Sequence, residues 1–419
     1  MASTADFVAI LLVLAAGVAT LNHRFGRIPR AIALLLGSLG ISALIALIDR
    51  LATTDLIGWV RGSLSAAALP EVLLNIILGL LLFAASLHVD LSELRRQKWI
   101  VLILATVGVI VATTVFGLGI WILFRVAGSS IPLGWCLVLG AILAPTDAVA
   151  VDALLRRAPL PSALKTAISG ESLFNDGAGV VLFQIMLRLA QGEHELIGHG
   201  AIAAALAIEG LGGCALGCLT GLLAAHVMRR VDEPGLRLMI SLALVTGSYR
   251  LAALAGLSGP TAVVTCGLVV RMQAPRDAAG NSMIDEVTSF WHVIDELLNA
   301  MLFLLIGFEL FAINLARVVF LPVVCALPLA LLSRLAGVIL PVLVLRGNGP
   351  PQRRGIAILT WAGLRGGVSI ALALTLPPNP YRGRLIVVCY AVVVFSMLVQ
   401  GLTMTRAVRR LYGAERGIA

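Results

Sequence analysis

Charge is what this 419-residue chain has least of. Asp, Glu, Lys and Arg make up 13% of it, against about 25% in a soluble globular protein. Aromatic residues are scarce at 5%, and only two of the 31 basic residues are lysines. Hydrophobic residues supply 59%, and mean hydropathy is +1.01. So little charge does not cover a surface in water, which excludes a soluble enzyme and a disordered chain. Six cysteines lie in apolar stretches without a Cys-x-x-Cys pair. They read as small, reduced core residues, not as a disulfide scaffold. The net charge of +9 does not point to nucleic acid. Its arginines sit singly or in small clusters between apolar runs, the signature of loops facing the cytoplasm. Long polar stretches are missing too. The longest connections, around 49–68 and 273–291, are too short for a domain, and no soluble regulatory domain is expected.

What is present is a succession of apolar runs. A membrane helix needs about 20 mostly apolar residues. Thirteen candidate spans follow: 6–22, 30–48, 69–87, 99–124, 131–154, 164–189, 197–226, 236–255, 258–272, 292–311, 318–345, 354–376 and 385–407. Trp99–Phe124 and Leu385–Thr405 carry no charge at all, and 258–272 is the weakest. The first run lacks a basic leader and is followed by Arg24, Arg27 and Arg30. It reads as a first membrane helix, not a cleaved signal peptide. With the N-terminus outside and the C-terminus in the cytoplasm, 21 basic residues fall on the inner side and eight on the outer. The expected class is an all-α polytopic protein of the cell membrane. Polar interruptions fall in spans five and twelve, seven apart, as two inverted six-helix repeats would place them.

An ionisable group at mid-membrane costs at least about 2.5–3.5 kcal/mol and by default marks an ion path. Three segments concentrate such groups. Span five reads GAILAPTDAVAVDALLRR from Gly140. Pro145 lacks an amide donor and disfavours helix at Ala144, so the chain is expected to unwind there. Thr146 and Asp147 then offer oxygens that suit a hard cation; a plain proline kink capped by Asp147 is the simpler alternative. Span six places Glu171, Ser172, Asn175 and Asp176 within an arc of about 140°, a face too polar for lipid. It must face a partner or a cavity; a structural polar seam between helices is the simpler alternative. In span twelve, Arg365 precedes Gly366 and Gly367. A buried guanidinium requires an anion, with Glu171 and Asp147 as candidates; otherwise Arg365 snorkels to the inner surface.

Four stretches, APTDAVAV (144–151), GESLFNDG (170–177), LLNAMLFLLIGFEL (297–310) and GLRGGVSIALAL (363–374), resemble the bacterial cation–proton antiporters of the NhaP type, relatives of the animal sodium/proton exchangers. Their order and spacing match along nearly the whole chain. The resemblance implies a thirteen-helix homodimer. Helices 1–3 and 8–10 would form a dimerisation scaffold, and helices 4–6 and 11–13 an ion-binding core that moves against it. It implies Asp176 as the shared ion and proton carboxylate, with Thr146 and Ser172 as further sodium ligands and Asn175 as its neutral partner. Glu171 and Arg365 would form a core ion pair, and Asp147 would hold the crossed helices together. No cofactor is implied beyond the transported Na+ or Li+ and H+. Ala144 and Ala148 depart from the family's usual Ser and Pro at those positions, which bears on ion preference and not on the reaction.

The expected activity is exchange of cytoplasmic Na+ (or Li+) for external H+. One titrating carboxylate, beside Asn175 where electrogenic relatives have an aspartate, predicts one proton per sodium. K+ as the main cation, or electrogenic exchange, is the alternative. A remote rival is an intramembrane serine protease, since residues 256–259 read Gly-Leu-Ser-Gly. A nucleophilic Ser258 needs a base, and the six histidines all fall at or near helix ends. A cation channel would need a selectivity filter, and none is recognisable. Glu209, Glu296, Glu309 and Arg334 are left as funnel-lining or helix-end groups, and Asp152 is placed beside Arg156.

Overall fold

The fold was analysed in a computed structural model, which describes residues 4–26, 28–52, 58, 77–89, 91–147, 151, 160–192, 201–273, 283–309, 320–344 and 353–413. Within these residues the chain is helical and has no strand. The elements are α1 (Thr4–Leu21), α2 (Arg30–Ala52), α3 (Leu78–His88), α4 (Leu91–Val126, with a π-helical turn at Leu104–Gly108), α5 (Leu133–Ile142), α6 (Ser162–Gln191), α7 (Ala201–Met228), α8 (Pro234–Leu254), α9 (Gly259–Gln273), α10 (Met283–Glu309), α11 (Phe320–Val344), α12 (Arg353–Trp361), α13 (Gly367–Leu374) and α14 (Arg382–Tyr412). Every predicted span carries helix where it is described. Eight helices among the described residues are long and apolar enough to cross a membrane. The chain is a multi-pass membrane protein.

The predicted break in span twelve is present. α12 stops at Trp361, residues 363–366 are not helical, and α13 begins at Gly367. Span five ends its first half at Ile142 and leaves the helix before Pro145. Its second half lies outside the described residues apart from Val151, whose N–H already reaches back to the Asp147 carbonyl at 3.3 Å. Asp152, Arg156 and residues 69–76 of the third span also lie outside them. α6 runs unbroken for 30 residues: it starts after the extended Pro161 and stops at Gly192, whose φ of 95° supplies the left-handed cap.

Packing sorts the helices into two groups. α4, α5 and α6 pack on one another, α11 packs on α4, and α14 packs on α11, α12 and α13. α9 packs on α3, α7 and α8, while α10 packs on α1, α2 and α3. The groups meet where α6 touches α7 and α9 and where α10 touches α13.

α9 corresponds to the weakest predicted span. It is short because it is surrounded by other helices and so has little lipid to face: Ala262, Val263, Val264, Cys266, Gly267 and Val270 are all buried. Small residues on α7 allow the approach. A side-chain carbon at Gly213 would sit 2.6 Å from the Ser258 carbonyl oxygen, one at Gly221 2.9 Å from that of Cys266, and one at Gly217 would overlap that of Ala262. Such a stripe lets helix backbones touch where lipid gives no hydrophobic drive to associate. Gly217→Val is expected to cost about 1–3 kcal/mol through overpacking. A melting temperature in detergent equal to that of the wild type would refute this contact.

Candidate functional site

The site forms where the two unwound segments cross. The Asp147 N–H donates to the Leu364 carbonyl at 2.8 Å, stitching one break to the other. Pro145 packs on Gly179 of α6, where a side chain would overlap the proline ring. Asp147 rests its carboxylate against Gly366, which likewise has no room for a side chain. That places a negative group at the N-terminal end of α13, where the helix dipole favours it.

Arg365 answers at the other end. Its guanidinium, only 3% exposed, donates to the Ala144 carbonyl and, at 2.8 Å, to that of Pro145. These oxygens follow the carbonyl end of α5, so cation and helix end compensate each other. Ser396 of α14 secures the backbone: it accepts from the Arg365 N–H at 3.0 Å and lies 3.1 Å from the Arg365 carbonyl. Arg365 therefore does not snorkel.

The expected pair between Glu171 and Arg365 is corrected by the geometry. Glu171 is fully buried and is held by Arg334 of α11. One guanidinium nitrogen donates to Oε1 and the other to Oε2 at 2.7 Å. Arg334 Nε and a terminal nitrogen also donate to the Leu359 carbonyl at 3.2 and 3.1 Å. Gly363 makes room for this side chain, since a carbon there would lie 2.7 Å from Arg334 Nε. The pair thus joins α6, α11 and α12. Arg365 is spent on the carbonyls of the break, and Arg334 meets the carboxylate with the bidentate geometry a guanidinium favours. A signal for Arg334 was available: it is the only charged residue in Phe320–Val344 and lies near its middle.

Thr146, Ser172 and Asn175 are brought together, all buried. Asn175 Nδ2 donates to Thr146 Oγ1 at 2.8 Å, while its Oδ1 accepts from the Thr146 N–H at 3.2 Å. Thr146 Oγ1 and Ser172 Oγ lie 2.8 Å apart. Asp176, one residue on, is buried, and its Oδ1 has no hydrogen-bond partner among the described residues.

A cleft opens beside these groups. One wall carries Thr146, Asp147 and Asp176 with Gly366–Ser369, and the other carries Leu78, Leu81, Leu82, Asn299 and Leu302. The cleft therefore runs between the two helix groups. Asp176 and Thr146 face it, whereas Ser172 and Asn175 are not part of its lining.

The rival serine is accounted for locally. Ser258 Oγ lies 2.7 Å from Thr261 Oγ1 and accepts from the Thr261 N–H at 3.3 Å, which is an N-terminal cap for α9. Gly256, with φ 67°, ends the preceding turn. Among the other unassigned charges, Glu296 pairs with Arg30 at 2.5 Å and Glu209 approaches Arg188 at 4.0 Å.

Removing one partner of a buried ion pair costs about 3–5 kcal/mol. Arg334→Met is therefore expected to lower the melting temperature in detergent sharply, and Glu171→Gln in the same chain to recover much of the loss. Equal stability of the single and double variants would show that the pair does not hold the three helices.

A family model described as the sodium/hydrogen exchanger, transmembrane, matches residues 8–410. A protein of Pseudomonas aeruginosa named Na(+)/H(+) antiporter NhaP is 38% identical over 98% of this chain and 97% of its own length. The Na(+)/H(+) antiporter ApNhaP of Aphanothece halophytica is 32% identical over 96% of this chain and 74% of its own length. The solved structure of the sodium proton antiporter MjNhaP1 from Methanocaldococcus jannaschii superposes with a TM-score of 0.77. It covers 98% of this chain and 99% of its own at 20% identity, a likeness of fold. Crossed broken helices, a cleft between two helix groups and a match over almost the full length agree: this chain belongs to the sodium/hydrogen exchanger family.

Proposed function

We propose that this protein is a secondary active antiporter, exchanging cytoplasmic Na+ or Li+ for external H+ at Asp176 in an electroneutral one-for-one cycle. The observation that carries the reading is the Asp176 oxygen: buried, unpartnered and facing the cleft between the two helix groups. Burial penalises the charged form of a carboxylate, so such a group is held best with a proton or a cation upon it. The two then compete for one site. The names of the relatives, antiporters of Na(+) and H(+), support the same ions.

The charge inventory supports the stoichiometry. Glu171 is cancelled by Arg334, and Asp147 and Arg365 sit at opposite helix ends where each is compensated. Asn175 brings no charge. Among the described carboxylates of the core, Asp176 alone is left uncompensated, and one Na+ or one H+ neutralises it equally. A core loaded with either crosses as the same net charge, while the empty, charged core is costly to move. This is the condition for coupled exchange without leak.

The helix grouping supports an alternating-access cycle in which α4–α6 and α11–α14 move as an elevator-like core against α1–α3 and α8–α10. Asp176 and Thr146 face the cleft at this boundary, so a slide of one group past the other exposes the site to each side in turn. The scaffold helices would provide the homodimer contact, the N-terminus lying outside and the C-terminus in the cytoplasm. Thr146 serves as a cation ligand on the cleft wall. Ser172 and Asn175 lie behind it and orient its hydroxyl. Asp147, on the same wall, holds the crossed segments.

The test uses proteoliposomes containing a pH-sensitive dye, given Na+, Li+ or K+ pulses. Wild type is expected to move protons on Na+ and Li+ addition, and Asp176→Asn to be silent while retaining its melting temperature. Exchange by Asp176→Asn at the wild-type rate would remove Asp176 from the cycle, and a response to K+ alone would reassign the cation. A membrane potential is worth about 2.3 kcal/mol per charge per 100 mV. The exchange rate is nonetheless expected not to change when the potential is clamped at different values. A transport current that reverses with the ion gradients would refute electroneutrality.

A further inference from the structure

The oxygens that the sequence singles out beside Asp176 are already engaged with one another. Thr146 Oγ1 accepts from Asn175 and shares a hydrogen with Ser172. Ser369, on α13, is different. Its side chain is buried and lines the same cleft as Asp176, yet its hydroxyl has no partner. Every other buried serine among the described residues is hydrogen-bonded. Ser38, Ser86, Ser241, Ser333 and Ser396 each donate to the carbonyl three residues earlier in their own helix.

Ser369 stands in the first turn of α13, three residues after the N-capping Gly366, and makes no such back-bond. A buried, unpaired hydroxyl costs about 1–3 kcal/mol, so this one is kept at the expense of the unloaded protein. Asp176 Oδ1 and Ser369 Oγ are the two fully buried, unpartnered side-chain polar atoms on residues lining the cleft among the described residues. One comes from α6 and the other from the start of α13, both in the proposed moving group. The two oxygens suit a cation that has shed water.

We propose that the Ser369 hydroxyl is a further oxygen ligand of the transported cation, bound together with Asp176, and that it helps to set which monovalent cation is taken. The inference rests on the antiport reading of the cleft and adds a specificity-determining residue to it. Coulomb attraction grows as the ion–oxygen distance shrinks, so the smaller cations gain most from an added oxygen. Loss of the hydroxyl is expected to weaken Li+ and Na+ more than K+.

Ser369→Ala and Ser369→Thr decide it in the full-length protein. Proton exchange in proteoliposomes gives KM and kcat for Na+, Li+ and K+. Thermal unfolding in detergent across a Na+ series gives binding apart from transport. Ser369→Ala is expected to raise KM for Na+ and Li+ about tenfold, with a smaller rise for K+. It should shift the Na+ concentration dependence of melting by the same factor and melt no lower than wild type without Na+. Ser369→Thr, which keeps the hydroxyl, is expected to stay within about threefold of wild type. Unchanged KM values in Ser369→Ala, or equal rises in Ala and Thr, would overturn the assignment. A wild type that exchanges no cation would instead overturn the antiport reading. The Na+ dependence of melting would then still decide for or against Ser369.

Discussion

In a bilayer every backbone polar group must find a partner within the protein, and here two helices are broken in the middle of it. The freed carbonyls of Ala144 and Pro145 take the Arg365 guanidinium, the Asp147 amide takes the Leu364 carbonyl, and Ser396 holds the Arg365 backbone. These bonds are the condition for the crossing to exist. Without them the unwound segments would leave bare peptide groups in an apolar interior. The crossing in turn places Thr146 and Ser369 on the cleft wall and gives Asp147 its seat against Gly366.

The buried charges fall into two kinds. Glu171 and Arg334 satisfy each other and tie α6 to α11 and α12, which is a structural use. Asp147 and Arg365 are matched to helix ends. Asp176 is the exception, buried beside a neutral Asn175 with one oxygen unpartnered. Among the described mid-membrane carboxylates this one is left open, and the proposed electroneutrality and competition between cation and proton rest on that economy.

Much of this was legible in the chain. The deficit of charge, the apolar runs and the Arg-rich loops specify a polytopic helical protein, because lipid admits little else. Pro145 and the Gly366–Gly367 pair mark the two breaks by their backbone chemistry. The 3.6-residue period alone puts Glu171, Ser172, Asn175 and Asp176 on one face, and the structure buries all four. α9 was the weakest span because it is short; its burial among α3, α7 and α8 is a property of its neighbours.

The partner of Glu171 was not legible. Arg334 and Arg365 both lie well inside predicted spans, and spacing along the chain does not say which one reaches a carboxylate more than 160 residues away. Packing decides it: Gly363 opens space for Arg334, while Arg365 is drawn to the carbonyls of a break in another helix. The unpaired state of Ser369 was equally hidden, since it depends on what packs around the start of α13 and on a cleft formed by distant helices. Composition, period and proline chemistry are local or additive, so the chain alone determined the class, the breaks and the polar face. Pairing and cavity shape are relations between surfaces that meet only after folding, and those the tertiary structure decided.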